Sequence, residues 1–148
     1  MRIYIDTDVL MDFFAQREPY VADVKKLLVM QAFGDAELWT SAQAYLNVYF
    51  IAKSKMDVEP IQAAMRESLD RINVSPITHM DILDATSMGW DDVEDALIAE
   101  CSDKAGADYL VTRDKSRFGA MTTPVVTPDE LFAALQNEHG VTYLKDIA

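Results

Sequence analysis

Asp6, Asp95 and Asp114 each stand where an apolar run has just closed or a helix is just opening. Asp6 follows Ile3-Tyr4-Ile5, Asp95 lies early in Asp91-Asp92-Val93-Glu94-Asp95-Ala96-Leu97, and Asp114 follows Tyr109-Leu110-Val111-Thr112-Arg113. In an open α/β sheet, ligands bind outside the carboxyl ends of the strands, so these carboxylates can meet although the chain separates them. Ionised carboxylates brought together need a cation, and hard divalent ions take oxygen ligands. Such an ion lowers the pKa of bound water and polarises a phosphoryl oxygen, the two tasks of phosphodiester hydrolysis. Metal-assisted cleavage of a phosphodiester is therefore the first chemistry the sequence suggests.

For the three acids to converge, strands and helices must alternate along the chain, and the apolar pattern does alternate. Residues 2–6 read as a short buried strand, followed by a helix through Val9, Leu10, Phe13 and Phe14 that breaks at Arg17-Glu18-Pro19. Residues 20–33 resume helical spacing until Gly34. Residues 37–40 read as a second strand, and Ser41 is a candidate N-cap for a helix to about Lys53. Asp57 is placed to cap a helix in which Ile61, Met65 and Leu69 recur at four-residue steps. Residues 73–77 read as a strand whose Pro76 favours an edge or a strand end. A helix over about 80–87 precedes the turn Met88-Gly89-Trp90. The next helix, capped by Asp91 or Asp92, is expected to carry Val93, Ala96, Leu97 and Cys101 on one face and to stop at Gly106. Residues 107–112 and 124–126 read as strands, and Thr127-Pro128-Asp129-Glu130 opens a last helix with a capping box. The expected architecture is a three-layer α/β/α sandwich around a mainly parallel sheet.

At 148 residues the chain fits one domain, with its core over about residues 1–135 and a tail over 136–148. Apolar residues make up 50% and charged residues 26%, as in a soluble globular protein. No apolar stretch approaches the roughly 20 residues of a membrane span. The N-terminus meets a charge too early for a signal peptide, so a cytoplasmic location is the default. The single cysteine, Cys101, cannot form an internal disulfide and reads as a small core residue. His79 at a helix start and His139 in a Gln-Asn-Glu-His-Gly turn have no visible catalytic companion. The net charge of −12 argues against simple electrostatic adhesion to nucleic acid. A bound divalent ion reverses the local sign, so a nucleic-acid substrate remains compatible with the acidity.

Around the three acids stand other candidates. Asp8 reads either as a site residue or as a cap for the first helix, and Asp12 either points outward or returns to pair with Arg17. Asp91, Asp92 and Glu94 share a helix start with Asp95. Acids there suit the helix dipole, but four exceed what capping requires. Asp95 borders the buried stripe and is the inward candidate, with Glu94 in reserve. Thr112, Arg113, Lys115 and Arg117 surround Asp114 as candidate contacts to RNA, and the three basic residues read alternatively as a solvated loop.

Three motifs in order carry a family resemblance. Ile-Asp-Thr-Asp-Val-Leu-Met-Asp at the N-terminus, Asp-Asp-Val-Glu-Asp-Ala-Leu in the penultimate helix, and Ala-Gly-Ala-Asp-Tyr-Leu-Val-Thr-Arg-Asp-Lys followed by Phe118 resemble the PIN domain. The resemblance extends to about residue 135. It implies a Mg²⁺- or Mn²⁺-dependent ribonuclease on a parallel-sheet α/β/α fold, often the VapC-type toxin of a toxin–antitoxin pair. It also implies a homodimer and a small antitoxin that blocks the acidic cleft. Asp6, Asp95 and Asp114 match the family's metal-binding acids. One departure is Asn47, which stands in the helix after the second strand where many members have a glutamate. An amide can orient water or bind an ion, but it adds no charge and cannot act as a base. Glu94 is the candidate to replace the missing charge. Arg17-Glu18-Pro19 and the segment around Asn47 resemble one branch of the family.

Two other readings compete. A PIN-like module that binds RNA or protein without turnover suits Asn47 and the acidic surface. A haloacid-dehalogenase-like phosphatase is suggested by Asp6-Thr7-Asp8, with Asp6 as nucleophile and Asp8 as acid/base. That reading also needs Asp91-Asp92 to follow a strand, whereas the sequence places a helix and a turn before them. Tyr45, Val48, Tyr49 and Phe50 read either as core or as an apolar dimer surface.

Overall fold

The computed structural model describes residues 1–140 and 142. The chain runs β1 (Arg2–Ile5), α1 (Thr7–Ala15), α2 (Val21–Ala32), β2 (Glu37–Ser41), α3 (Ala42–Ala52), α4 (Val58–Ser68), β3 (Ile72–Ser75), α5 (His79–Thr86), α6 (Val93–Lys104), β4 (Tyr109–Val111), a 3₁₀ turn (Lys115–Arg117), β5 (Val125–Val126) and α7 (Pro128–His139). The five strands form one sheet in the order β3-β2-β1-β4-β5, and every pairing is parallel. This is the expected three-layer α/β fold, with β3 on an edge as Pro76 suggested.

Strand alternation builds the layers. Ile3 and Ile5 turn to one face of the sheet, where they join Leu10, Leu27, Val48 and Leu131 in a core lined by α1, α2, α3 and α7. Tyr4 and Leu110 turn to the other face and meet Ala85, Ala96, Ile98 and Cys101 on α5 and α6. Burying both faces explains why β1 is continuously apolar from Ile3 to Ile5 rather than alternating with polar residues.

The sheet order reverses at β1. From there β2 and β3 build outward on one side, β4 and β5 on the other. Register pairs Ile5 with Val111, so the first residues beyond both strands emerge side by side. The backbone N–H of Asp6 donates to the Val111 carbonyl at 3.0 Å, which fixes that register at its carboxyl end. Ligands of doubly wound sheets bind in the crevice at such a switch point.

Local details depart from the sequence expectations in three places. Val93 is 48% exposed rather than part of the buried stripe of α6, because it is the first residue of the helix and precedes the turn that packs. His139 ends α7 rather than lying in a turn, and Gly140 at φ +66° supplies the left-handed cap that stops the helix one residue later. The expected tail over 136–148 therefore begins inside a helix, and most of it lies outside the described residues. Among the described residues, no helix is long and apolar enough to cross a membrane.

Candidate functional site

Asp6 begins the site because its backbone and side chain serve different elements. It is fully buried at the end of β1 and is the N-cap of α1. Oδ1 accepts the Thr7 N–H at 2.7 Å, and Oδ2 accepts the Thr112 hydroxyl at 2.8 Å. The same Oδ2 is ion-paired with Nη2 of Arg117. Asp6, not Asp8, is thus the residue that caps the first helix.

Asp8 is released from capping and faces the end of β4. Its Oδ2 accepts the Arg113 backbone N–H at 3.2 Å, while Oδ1 is buried without a hydrogen-bond partner. Burial raises the Asp8 pKa, opposed by the hydrogen bond from the Arg113 backbone and by the Arg113 charge. One helical turn on, Asp12 is only 1% exposed. It hydrogen-bonds Nε of Arg17 at 2.9 Å and lies 3.1 Å from Nε of Arg113, an ion-pair contact without hydrogen-bond alignment. The Arg113 guanidinium also covers the Tyr20 ring at 4.1 Å. The pairing of Asp12 with Arg17 is present, and Arg113 turns inward to the same carboxylate instead of standing free as a backbone contact.

From the other half of the chain, α6 delivers Asp95. The Asp92 carboxylate caps that helix, accepting from the N–H groups of Glu94 at 2.9 Å and Asp95 at 3.1 Å. The cap orients the first turn so that Asp95 is 6% exposed while Glu94 stays outside. Burial first, and then the charges of Asp92, Glu94, Asp114 and Asp8, push the Asp95 pKa up to about 6. Nη1 of Arg117, 3.2 Å from Asp95 Oδ1, acts against that shift, but desolvation among so many carboxylates outweighs one partly exposed guanidinium.

Thr112, Asp114, Lys115 and Arg117 arrive together after β4. Thr112 is fully buried. Besides donating to Asp6, its hydroxyl accepts the Asp114 N–H at 3.2 Å and an N–H of Arg117 at 3.2 Å. It is a hub of the site and has no surface for a nucleic acid. Asp114 is exposed at the start of the 3₁₀ turn, where its carboxylate accepts the Ser116 N–H at 3.1 Å. Lys115 pairs with Glu130 of α7 at 2.8 Å. Arg117 reaches back over the cluster, contacting Asp6 and Asp95 and lying 3.7 Å from Asp8.

Asn47 lies on α3 at the rim, where its carbonyl accepts from Gln43 Nε2 at 3.0 Å and its amide donates to Glu94. Asn47, Glu94, Asp95 and Arg117 line one cleft, and Asp8, Tyr20, Arg113, Asp114 and Arg117 line another. Arg117 borders both.

The donor set suits a hard cation. Asp6, Asp8 and Asp95 are oxygen donors gathered around a positive group, and an orphaned carboxylate oxygen on Asp8 points to an unmet demand for one. The positive group in place is the Arg117 guanidinium. Around it the acids are spread, and among the described residues no three His, Cys, Asp or Glu side chains are arranged to hold a metal.

Sequence reasoning singled out Asp6, Asp95 and Asp114 but gave Thr112 and Arg117 the roles of RNA contacts. The dual use of Thr112 had a faint signal, a hydroxyl residue directly at the end of a buried strand. Asp8 and Asp12 had a clearer one: their spacing of four places both on one face of α1. Arg117 had none, because its partners are set by the crossing of the chain at β1 and β4.

Comparison with known proteins agrees with the fold. The PIN domain family model matches residues 2–116. No curated protein sequence matches the chain. Among solved structures, the fold is similar to VapBC2 from Rickettsia felis bound to a DNA fragment from their promoter, with TM-score 0.67 and 13% identity over 86% of this chain and 98% of that one. It is similar to VapBC-1 from nontypeable Haemophilus influenzae, with TM-score 0.67 and 17% identity over 87% and 99%. A toxin–antitoxin complex from Klebsiella pneumoniae gives TM-score 0.61 and 21% identity over 85% and 97%. At these identities the likeness is one of fold.

Proposed function

Because the chain belongs to the PIN domain family, whose members are generally nucleases using divalent metal ions, we propose that it is a Mg²⁺- or Mn²⁺-dependent endoribonuclease. The observation that carries this reading is the convergence of Asp6 and Asp95, from opposite halves of the chain, on one cation at the switch point of the sheet.

Asp6 and Asp95 would hold the ion, with Asp114 completing the set from the exposed side. When bound, the ion supplies Lewis acidity, activating water and polarising a phosphoryl oxygen. The chain's own residues prepare that chemistry. Thr112 and the Thr7 N–H each hold one oxygen of Asp6, which fixes the orientation of the carboxylate. Asp92 sets the first turn of α6 and thereby the reach of Asp95. Asn47 positions Glu94 at the cleft edge, which returns an acid near the place that the amide left uncharged. Lys115 is the candidate to meet the phosphate backbone, in exchange for its pairing with Glu130.

The chain acts, on this reading, in the cytoplasm as the toxin of a toxin–antitoxin pair, inhibited by a small antitoxin protein. Its support is the fold it shares with the toxin–antitoxin complexes named above. A homodimer suits α3, which buries Tyr45 and Val48 yet leaves Leu46, Phe50 and Ile51 between 47% and 57% exposed. The test is incubation of the purified protein with an RNA pool in Mg²⁺ and in Mn²⁺, beside Asp6→Asn and beside chelator. Cleavage that both changes abolish is expected; cleavage unchanged in Asp6→Asn sinks the assignment.

A second reading is favoured by the commitment of the Asn47 amide to Gln43 and Glu94. A PIN-like binding module predicts RNA retention without turnover across the same metal titration. The phosphatase reading loses its footing, since Asp91 and Asp92 follow α5 and a turn, not a strand.

A further inference from the structure

Arg117 is not arranged like a surface cation. It is carried by a 3₁₀ turn that Asp114 caps and that the Lys115–Glu130 pair ties to α7. Its guanidinium lies 5.4 Å from the Phe118 ring centroid, and Phe118 packs edge-on against Trp90 at 6.3 Å. So braced, the fork divides between two elements: Nη2 meets Asp6 and Thr112 at the end of β1 and β4, and Nη1 meets Asp95 on α6.

Charge and spacing give this contact its meaning. Asp6 is fully buried, and a buried carboxylate left unpaired is strongly destabilising. A guanidinium answers that demand through donors spread across a plane. A divalent ion answers it differently, drawing oxygens to about 2.1 Å for Mg²⁺. The two cations cannot share these oxygens, and the acids as they stand are grouped around the fork.

We propose that Arg117 is a built-in competitor of the divalent ion: it neutralises the acid cluster in the metal-free chain and withdraws from Asp6 and Asp95 when an ion binds. The proposal rests on the reading of those two residues as metal ligands. The exchange is favourable because an ion brings two positive charges where the guanidinium brings one. It also sets a threshold, since the ion must first displace a resident group. Stability and affinity then move in opposite directions on removing Arg117. A purely structural arginine would change the first and leave the second alone.

The experiment is calorimetric titration of Arg117→Ala with Mn²⁺, beside thermal unfolding in chelator. The variant is expected to melt at lower temperature without metal and to bind Mn²⁺ roughly tenfold more tightly, within the usual span of coupling between two ligands. Arg117→Lys, a compact cation that meets one carboxylate at a time, is expected to fall between. A second measurement uses the unaltered protein: the Arg117 Nε–H resonance should shift to that of a solvated arginine as Mg²⁺ saturates. Should Arg117→Ala fail to fold, Arg117→Lys and this resonance decide. Mn²⁺ affinity equal to or weaker than wild type in the variants, with an unmoved resonance, overturns the proposal while the metal site stands. Absence of Mn²⁺ binding in wild type and variants alike overturns the metal site and the proposal together.

Discussion

Thr112 illustrates how much one hydroxyl can organise at the residue scale. It donates to a buried carboxylate on β1 and accepts the N–H that starts the 3₁₀ turn, joining the two chain segments of the site. Thr112→Val keeps the shape and removes these bonds together with the one from Arg117, leaving buried polar groups short of a partner. The expected loss is about 1–3 kcal/mol by chemical denaturation, with Thr112→Ser close to wild type. Asp95 offers a pH test. Its folded-state pKa of about 6 lies above the ordinary 3.8, so the folded metal-free protein binds the proton more tightly than the unfolded chain. The stabilisation from this group is complete below the unfolded pKa and is lost as pH rises through about 6. In chelator, wild-type stability should therefore fall relative to Asp95→Asn between acid and neutral pH. Parallel profiles for the two proteins would count against a buried, acid-crowded Asp95.

At the scale of elements, the site depends on how helices begin. Asp6, Asp92 and Thr127 cap α1, α6 and α7 with side-chain oxygens, and the first two caps orient the acids beside or within them. The third works at one remove. Glu130 completes the capping box on Thr127 and also holds Lys115, so the start of α7 braces the turn that carries Asp114 and Arg117. Thr127→Ala is expected to lower stability by about 1 kcal/mol, read from thermal or denaturant unfolding, with Thr127→Ser restoring most of it. The caps of α6 and α7 were legible in the sequence because a cap is a local pattern of residue types. For α1 the sequence offered Asp8, and Asp6 takes the role instead. Asp6 precedes α1, whereas Asp8 lies in its first turn and is drawn to the Arg113 backbone just beyond β4.

At the scale of the molecule, one sheet separates two cores, and Cys101 reports on the second. It is 2% exposed among residues of α5, α6, β1 and β4, and burial pushes its thiol up to about 11. At pH 8 the native thiol is therefore both covered and almost wholly protonated, the unreactive form. Alkylation of native protein at pH 8 is expected to be negligible and to become rapid in denaturant. Ready labelling without denaturant would contradict the packing of α6 on the sheet. The same architecture explains how an acidic chain holds its acids: the sheet's reversal at β1 gathers them at one end and the cations beside them are Arg17, Arg113 and Arg117.

What the sequence determined by itself was the alternation of strands and helices, and with it the sheet edge to which Asp6 and Asp95 belong. Apolar periodicity and capping residues act over a few positions, so they can be read without knowing the fold. The inward turn of Arg113, the buried hub at Thr112 and the seat of Arg117 among the carboxylates were decided only by tertiary structure. Each depends on the pairing of Ile5 with Val111, which brings residues from opposite ends of the chain within hydrogen-bond reach. No local pattern encodes that distance. A basic residue beside an acid reads in sequence as a surface charge, and only the register of two strands turns it into a partner.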